Sequence, residues 1–406
     1  MTAATELAEL VRDGDRLLVA TGAAEPVSLV DDLLTIAAGQ GVRLEILQVL
    51  TGSRGRILEA LRYGHRVISP VPGHGAAGAD VGVVPSSMRQ LAGAIDRGTL
   101  RVDGVLFSGT RAAAGGVDPG LCVDLVPVAF ERARFRAVEL NAALPRVATD
   151  TLALDRCDLV VESDQAPPPL PPLEPDATAH AIAGHIAGLV DDGAVLELGV
   201  GRALAGVADA LVHAGVSLSV HTGLVSDWSQ RLVEAGVAER GLSCAGGVPV
   251  VGAVAMGSEA HYRWLDGGPS VRLVGSLHAH DPAHLGALGD YTAINAVSRI
   301  DLFGQVGTSP GLADRRAVGG LLDFATAGAY GGLSIVAVES VDTAGRSRIT
   351  PSVAAAQLPG SLVTHVVTEH GVARLAHLSW RERVHAMVAI AHPDHRASLR
   401  RALERP

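Results

Sequence analysis

The sequence predicts an α/β protein built from two related open parallel-sheet domains. Three observations support this prediction. Short apolar stretches alternate with helical patterns, glycine is abundant at 48 of 406 residues, and one helix–turn–strand pattern occurs twice. Apolar strands that alternate with helices are typical of a parallel sheet covered on both faces.

The repeated pattern lies on either side of a proline-rich segment. Near the amino terminus, a helical pattern over residues 5–12 leads through Asp13-Gly14 to an apolar strand over residues 16–21. After the prolines, a helix over residues 177–190 leads through Asp192-Gly193 to a strand. A repeat of this kind indicates two domains of related fold, although a short match also arises by chance.

The proline-rich segment sets the expected domain boundaries. Proline fixes φ and lacks an N–H, so the run from Gln165 to Pro175 sustains neither a helix nor a central strand. We therefore expect an amino-terminal domain at residues 1–164, a linker at 165–176 and a carboxy-terminal domain at 177–406. In the first domain the pattern also predicts a helix at residues 27–38 and strands at residues 42–49, 104–107, 136–140 and 159–161.

Composition excludes several classes of function. The net charge of −10 argues against nucleic acid as the main partner, because phosphate binding requires a basic surface. All 33 basic residues are arginine, so Schiff-base chemistry and a phosphate-loop lysine are excluded. The three cysteines (Cys122, Cys157 and Cys244) are widely spaced, which favours a reducing compartment.

The amino-terminal sequence predicts no secretory signal. It lacks a basic segment followed by an apolar one, and the chain has no apolar run long enough to cross a membrane. We therefore expect a cytoplasmic protein without a membrane partner. Its helices, rich in small residues, permit a homodimer without establishing one.

Seven motifs follow one another in the carboxy-terminal half, and they are the most specific signal in the sequence. They are HTGLVSDWSQRLVEAGV at residues 221–237, IN at 294–295, IDLFGQV at 300–306, GGLLDF at 319–324, SRITP at 347–351, VTEHGVA at 367–373 and IAHPD at 390–394. The segment at 194–210, with Gly199-Val-Gly201, precedes them. In the amino-terminal half, VELN at 138–141 is a looser match.

These motifs resemble those of the acetyl-CoA hydrolase/transferase (CoA-transferase) family, and of its 4-hydroxybutyrate CoA-transferase-like members. The resemblance implies two open α/β domains with an active site in the cleft between them. It also implies an acyl-CoA thioester as substrate, a small acceptor and no permanently bound cofactor. In such proteins a glutamate attacks the acyl-CoA and carries CoA as a covalent thioester, which divides one difficult exchange into two easier ones.

The sequence departs from the family at Gly223, which follows His221-Thr222 where the family has its catalytic glutamate. Glycine has no side chain, so a glutamyl-CoA intermediate cannot form at this position. Three hypotheses remain open. The protein is a hydrolase or acyltransferase without the covalent glutamate, a CoA-transferase that uses another carboxylate, or a binding protein for acyl-CoA without activity.

Three carboxylates are candidates for the missing chemistry. Asp227 and Glu197 could act as a general base, which needs only a carboxylate within reach and with a suitable pKa. The structural alternatives are a loop cap for Asp227 and a buried ion pair with an arginine for Glu197. Glu25, in the glycine-rich loop of the first domain, is the candidate for a substitute nucleophile.

The resemblance also indicates a set of binding residues. Gly319-Gly320 would place backbone N–H groups against the thioester carbonyl, since glycine allows close approach. The structural alternative is a tight turn before a strand at residues 321–324. His221 flanks the altered position and is either catalytic or a core histidine. The other proposed binding residues are Gly199, Gly201, Asn295 and Phe324.

Four further motifs are weaker. Gly199-Val-Gly201 lacks the third glycine of a dinucleotide fingerprint, because Leu204 fills that position. In Gly307–Gly311, Pro310 removes the N–H that a nucleophilic Ser309 would need. The residues His278, His280, Asp281 and His284 are expected to form a solvated loop rather than a metal site. His392 is expected to cap the final helix.

Overall fold

The computed structural model of the protein describes residues 2–39, 41–50, 56–71, 79–113, 115–243, 246–308 and 318–402. The chain forms two compact units. The first comprises Met1–Pro171 and Val251–Ala279, and the second comprises Pro172–Val250 and His280–Pro406. Within the described ranges, no helix is both long and apolar enough to cross a membrane.

The first unit is centred on a parallel sheet. Its strands lie in the order β4–β3–β2–β1–β5–β7–β8, and β6 pairs with β5 in the antiparallel sense. They are β1 (Arg16–Val19), β2 (Glu45–Leu47), β3 (Arg66–Ser69), β4 (Gly82–Val83), β5 (Gly104–Arg111), β6 (Val117–Asp118), β7 (Phe135–Asn141) and β8 (Leu159–Ser163). Seven of the eight residues of β5 are buried, as expected for a central parallel strand.

Four helices accompany this sheet: α1 (Ala3–Leu10), α2 (Val27–Gly39), α3 (Met88–Asp96) and α4 (Val126–Arg132). The start of α3 is fixed by a capping box, in which the side chains of Ser87 and Gln90 each accept a hydrogen bond from the other's backbone N–H. The buried faces of α1 and α2 join β1 and β2 in one apolar core.

The second unit contains a related sheet. Parallel strands lie in the order β10–β9–β15–β18–β21, followed by the antiparallel β22. The elements from residue 177 to residue 279 are α5 (Ala177–Ala187), β9 (Val195–Leu198), α6 (Val207–Ala214), β10 (Ser219–His221), β11 (Leu224–Val225), α7 (Asp227–Glu234), β12 (Val250–Gly252), β13 (Val254–Ala255), α8 (Glu259–Leu265), β14 (Val271–Leu273) and α9 (Ser276–Ala279). Of these, β13, α8, β14 and α9 belong to the first unit.

The rest of the second unit adds α10 (Pro282–Gly286), β15 (Tyr291–Ala296), β16 (Ile300–Asp301), β17 (Val306–Thr308), α11 (Leu321–Gly331), β18 (Gly332–Ala337), β19 (Ile349–Thr350), β20 (Ala355–Leu358), β21 (His365–Thr368), β22 (Gly371–Arg374), α12 (Trp380–Ile390) and α13 (Pro393–Ala402). The strands β19, β16, β17 and β20 form a small separate sheet. An apolar core joins this sheet to the packed faces of β18, β21 and α12.

Each unit carries the same hydrogen-bonded turn, which we call the Asp–Gly clasp. In the first unit, Asp13 Oδ1 accepts from the Arg43 N–H at 2.7 Å, and the Gly14 N–H donates to the Arg43 carbonyl at 2.8 Å. In the second unit, Asp192 Oδ1 accepts from the Ser217 N–H at 2.8 Å, and the Gly193 N–H donates to the Ser217 carbonyl at 2.7 Å.

The two clasps explain the sequence repeat. Both glycines have left-handed backbones, with φ of 81° at Gly14 and 90° at Gly193, which favours glycine there. In each unit the clasped residue lies two positions before a strand, β2 or β10. The predicted α/β class with two related parallel-sheet domains is confirmed.

The boundaries of the compact units differ from the expected domain boundaries in one segment. The change of unit at Pro171–Pro172 falls inside the expected linker, whereas Val251–Ala279 groups with the first unit. This segment is bound to the first unit by hydrogen bonds at several points, including Val123 N–H to the Ala253 carbonyl and Leu170 N–H to the Gly257 carbonyl. Such long-range pairing leaves no periodic signal in the sequence.

Candidate active site

The candidate residues of the second unit gather where three parallel strands end. Strand β9 pairs with β10 on one side and with β15 on the other. Because all three strands run in the same direction, their carboxyl ends lie along one edge of the sheet. Gly199 follows β9, Gly223 follows β10, and Asn295 is near the end of β15. Ligands of open α/β sheets bind at this type of edge.

Glu197 and Asn295 form the polar centre of this edge. Asn295 Nδ2 donates to Glu197 Oε2 at 2.8 Å, and Glu197 is only 2% exposed. The arginine partner expected for Glu197 is therefore wrong, because the buried carboxyl is held by an amide instead. Burial raises the pKa of Glu197 to about 8, so the group is mostly protonated at neutral pH.

Residues 199 and 201 are glycines because strand β15 passes so close that a larger side chain would contact it. A Cβ at Gly199 would lie 3.2 Å from Asn295 Oδ1, and a Cβ at Gly201 would lie 3.0 Å from the Ala296 Cβ. Gly201 also has a φ of 140°. A short 3₁₀ turn at Arg202–Leu204 follows these glycines, and helix α6 begins at Val207. The two glycines thus bring their loop against the edge residue Asn295.

Gly223 faces two aromatic side chains. A Cβ at Gly223 would lie 3.2 Å from Phe324 Cε2 and 3.4 Å from His280 Cε1. The backbone of Gly223 lies outside the left-handed region, so space rather than strain decides which residue it accepts. The rings of His280 and Phe324 pack together with centroids 4.7 Å apart and crowd the place where a longer side chain would begin.

Gly319 and Gly320 precede helix α11. The strand expected at residues 321–324 is wrong, since these residues form the first turn of that helix. Gly319 is left-handed, with a φ of 50°, which favours glycine. Gly320 occupies the N-cap position, and a Cβ there would lie 2.7 Å from Phe324 Cε2 and 3.0 Å from His280 Cε1. Gly223 and Gly320 therefore face the same pair of rings.

His221 is fully buried at the end of β10. Its carbonyl accepts a hydrogen bond from the Tyr291 hydroxyl at 3.0 Å, and its ring meets that of His284 edge-on at 6.0 Å. Tyr291 is a site residue that sequence reasoning missed. Burial, with the nearby carboxyl groups of Glu197 and Asp323, raises the pKa of Tyr291 well above its usual range.

The other two candidate carboxylates, Asp227 and Glu25, lie next to helices. Asp227 is the first residue of α7, where a negative charge suits the positive end of the helix dipole. Glu25 belongs to the first unit, where it is 3% exposed and lies just before α2. Among the three carboxylates, Glu197 is the one held at the strand edge by Asn295.

The solvated loop expected around His280 is wrong. His278 lies in α9, Asp281 caps α10 by accepting from the Ala283 N–H at 3.0 Å, and His280 between the two helices is only 4% exposed. The Asp281-Pro282 pair, a helix-start signal, could have indicated this arrangement. Within the described ranges, no group of three or more histidine, cysteine or acidic residues is arranged to hold a metal ion.

Of the remaining motif residues, His392 lies in the described part of the chain. His392 Nδ1 accepts from the Asp394 N–H at 3.4 Å at the start of α13, in agreement with the expected cap. Ser309 and Cys244 lie outside the described residues. A cavity of about 690 Å³ in the first unit is lined by the ends of β5, β7 and β8 and by α8, and none of the predicted site residues contributes to it.

Comparison with known proteins shows the family to which the chain belongs. A family model described as the acetyl-CoA hydrolase/transferase C-terminal domain matches residues 257–403. The 4-hydroxybutyrate coenzyme A transferase of Clostridium kluyveri is 31% identical over 291 residues, which cover 69% of this chain and 67% of that protein. The chain belongs to the CoA-transferase family. Succinyl-CoA:cyclohexane-1-carboxylate CoA transferase of Geobacter metallireducens is also 31% identical, over 68% of this chain and 65% of its own length.

Solved structures extend the likeness over the whole chain. RipA from Yersinia pestis superposes with a TM-score of 0.89 at 25% identity, covering 100% of this chain and 96% of that one. The 4-hydroxybutyrate CoA-transferase from Porphyromonas gingivalis, at 23% identity, has the same fold with a TM-score of 0.82, covering 100% of this chain and 97% of that one. The sequence alignments span about two thirds or less of the listed relatives' length, from 61% to 67% for the first three.

Replacing Gly223 with Glu is expected to destabilise the second unit by about 1–3 kcal/mol, the usual cost of overpacking. The new side chain must enter between Gly223 and the rings of His280 and Phe324, which are within 3.4 Å of the Cβ position. Urea unfolding measures the effect, with Gly223→Ala as the matched control, since a methyl group needs only a small shift. Equal stabilities for the two variants would show that the space is larger than the contacts indicate.

Proposed function

We propose that this CoA-transferase family member acts on an acyl-CoA thioester, by hydrolysis or acyl transfer, without a glutamyl-CoA intermediate at residue 223. The observation that carries the proposal is Gly223 itself. It supplies no carboxylate, and the space for one is crowded by His280 and Phe324. The close contacts around Gly223 support a site that works without a carboxylate at this position.

Other features of the second unit support a thioester site. Gly319 and Gly320 stand at the amino end of α11, where backbone N–H groups and the helix dipole favour a developing negative charge. Asn295 is fixed by Glu197 and offers an amide at the strand edge. These features support an acyl-CoA as substrate and support the stabilisation of a tetrahedral oxyanion. They do not require a covalent step on the protein.

The geometry favours Glu197 over Asp227 and Glu25 as the carboxyl group of this site. With a pKa of about 8, Glu197 carries a proton at neutral pH and can donate it or fix the amide of Asn295. We infer that Glu197 orients Asn295 and supplies a proton, while Asp227 has a structural role at the start of α7. Glu25 remains the candidate for a substitute nucleophile in the competing transferase hypothesis.

The test is mass spectrometry of the full chain after incubation with acetyl-, butyryl- and succinyl-CoA, each with and without acetate. Hydroxylamine is added to trap any acyl or CoA adduct on a side chain. We expect released CoA with no trapped adduct on any carboxylate. A hydroxamate on Glu25 or Glu197 would instead establish a covalent CoA-transferase. Binding of CoA without any product would establish a binding protein.

A further inference from the structure

A buried histidine occupies the position that faces both Gly223 and Gly320. His280 Cε1 lies 3.4 Å from a Cβ position at Gly223 and 3.0 Å from a Cβ position at Gly320. Cε1 stands between the two ring nitrogens, so the polar edge of the imidazole is turned towards these two glycines. His280 is only 4% exposed and lies in the linker between α9 and α10.

The carboxylate of Asp323 lies next to the imidazole of His280. Asp323 Oδ2 lies 3.6 Å from His280 Nδ1, and the two side chains are 4% and 5% exposed, respectively. In the described part of the chain, His280 Nδ1 makes no hydrogen bond. The separation from Asp323 is slightly longer than a hydrogen bond, as is common for catalytic pairs before substrate binds. The ring of Phe324 also packs against the imidazole, with centroids 4.7 Å apart.

Burial also sets the protonation state of the His280 imidazole. Desolvation lowers the pKa of His280 to about 3, so its imidazole is neutral at physiological pH. The pKa of Glu197 is shifted in the opposite direction, to about 8. The neutral imidazole is the form of His280 that can accept a proton.

The helix that carries Asp323 also offers an anion site. α11 has eleven residues and begins directly after Gly320. Its first N–H groups point out of the helix towards its amino end, where the partial positive charge of the dipole is greatest. A thioester carbonyl placed there would lie beside the imidazole edge of His280.

We propose that His280, oriented by Asp323, is the general base that activates water for attack on the acyl-CoA thioester at the position vacated by the family's glutamate. This assignment rests on the proposed function. A ring nitrogen of His280 takes a proton from water as the water oxygen bonds to the thioester carbon. The tetrahedral oxyanion faces the amino end of α11. The C–S bond then breaks, the proton passes from the imidazolium to the CoA thiolate, and the acid and free CoA leave.

The first test replaces His280 with Ala and, separately, with Gln, using acetyl-CoA or whichever of the three acyl-CoAs the wild type prefers. We expect kcat to fall about 10²- to 10⁴-fold, the usual contribution of a general base, with little change in KM. Free imidazole is expected to restore part of the activity of His280→Ala, because it can fill the space left by the ring. His185→Ala, which alters an exposed histidine of α5, is the control.

A substitution of Asp323 tests whether this residue positions His280 or has only a structural role. Asp323→Asn is expected to lower kcat with an unchanged KM, because the amide no longer supports the imidazolium. If His280→Ala and His280→Gln both retain kcat within about threefold of the wild type, the assignment of His280 is overturned. Absence of imidazole rescue in a folded but inactive His280→Ala variant would also contradict it.

A measurement on the wild type covers the case in which these variants fail to fold. Single-turnover hydrolysis in H₂¹⁸O is expected to place the label in the product acid and in no protein carboxylate. Label in a protein carboxylate would show attack on a covalent thioester and would exclude His280 as the base for direct attack. If the wild type releases no CoA from any acyl-CoA, the proposed function itself is wrong. If turnover is unchanged when His280 is replaced, only the assignment of His280 as the general base is wrong.

Discussion

Gly320→Val is expected to lower acyl-CoA turnover about 100-fold, the scale on which a misplacement of about 1 Å in an active site acts. The backbone of Gly320, with φ −75° and ψ −13°, accepts valine without strain, so the effect is one of space. The valine Cβ would lie 2.7 Å from Phe324 Cε2 and 3.0 Å from His280 Cε1. Both rings would have to move, and the start of α11 would move with them.

Steady-state kinetics and thermal unfolding measure the effect of this change. The matched control is Gly184→Val in α5, because a Cβ at that exposed helical glycine meets nothing within 4 Å. We expect the control to keep full activity, and we expect Gly320→Val to remain folded with a loss of about 1–3 kcal/mol in stability. Unchanged kinetics in Gly320→Val would remove the Gly319–Gly320 segment from the site.

Glu197→Gln is expected to remove a large pH dependence of stability between about pH 4.5 and pH 8. The pKa of Glu197 is about 8 in the folded protein, against a reference value of 4.5. Between these values the folded state holds a proton that the unfolded state releases, so the free energy of unfolding falls as the pH rises. At 1.36 kcal/mol for each pKa unit, the loss is on the order of 5 kcal/mol by pH 8.

Urea unfolding at pH 5, 7 and 9 tests this expectation. The stability of Glu197→Gln relative to the wild type should increase from pH 5 to pH 9, because glutamine can still accept from Asn295 without a charge to bury. Glu9→Gln, at an exposed position of α1, serves as the control and should show no such trend. A constant difference across the three pH values would mean that Glu197 is ionised in the folded protein at neutral pH.

The sequence was most informative where local chemistry decides the structure. The Asp–Gly turn of each clasp was predicted because its two residues are adjacent in the chain and precede an apolar strand, whereas the partners Arg43 and Ser217 lie 30 and 25 positions away and were not predicted. Gly199 was predicted correctly as a turn residue after a strand, whereas Gly319 was expected in a turn before a strand and in fact precedes a helix. Their exact role depended on a neighbouring element, which a local pattern does not reveal.

Sequence reasoning failed where the partner lies far along the chain. His280 and Gly223 are 57 positions apart, and only folding brings them together. Residues 321–324 were mistaken for a strand because a short apolar run fits either element. Asn295 and Glu197 belong to strands separated by more than 90 residues, so the amide partner could not be recognised and an arginine was expected instead.

The second unit's Asp–Gly clasp lies at the amino end of β9, at the opposite edge of that unit's sheet from the carboxyl ends that carry Gly199, Gly223 and Asn295. Strand alignment is thus secured by residues that take no part in chemistry. Substitutions at the carboxyl edge leave these backbone hydrogen bonds in place, even where they disturb the local packing. A chain of this design accommodates a glycine at residue 223 while its strands stay aligned, so natural selection can vary the residues of the carboxyl edge on the same framework.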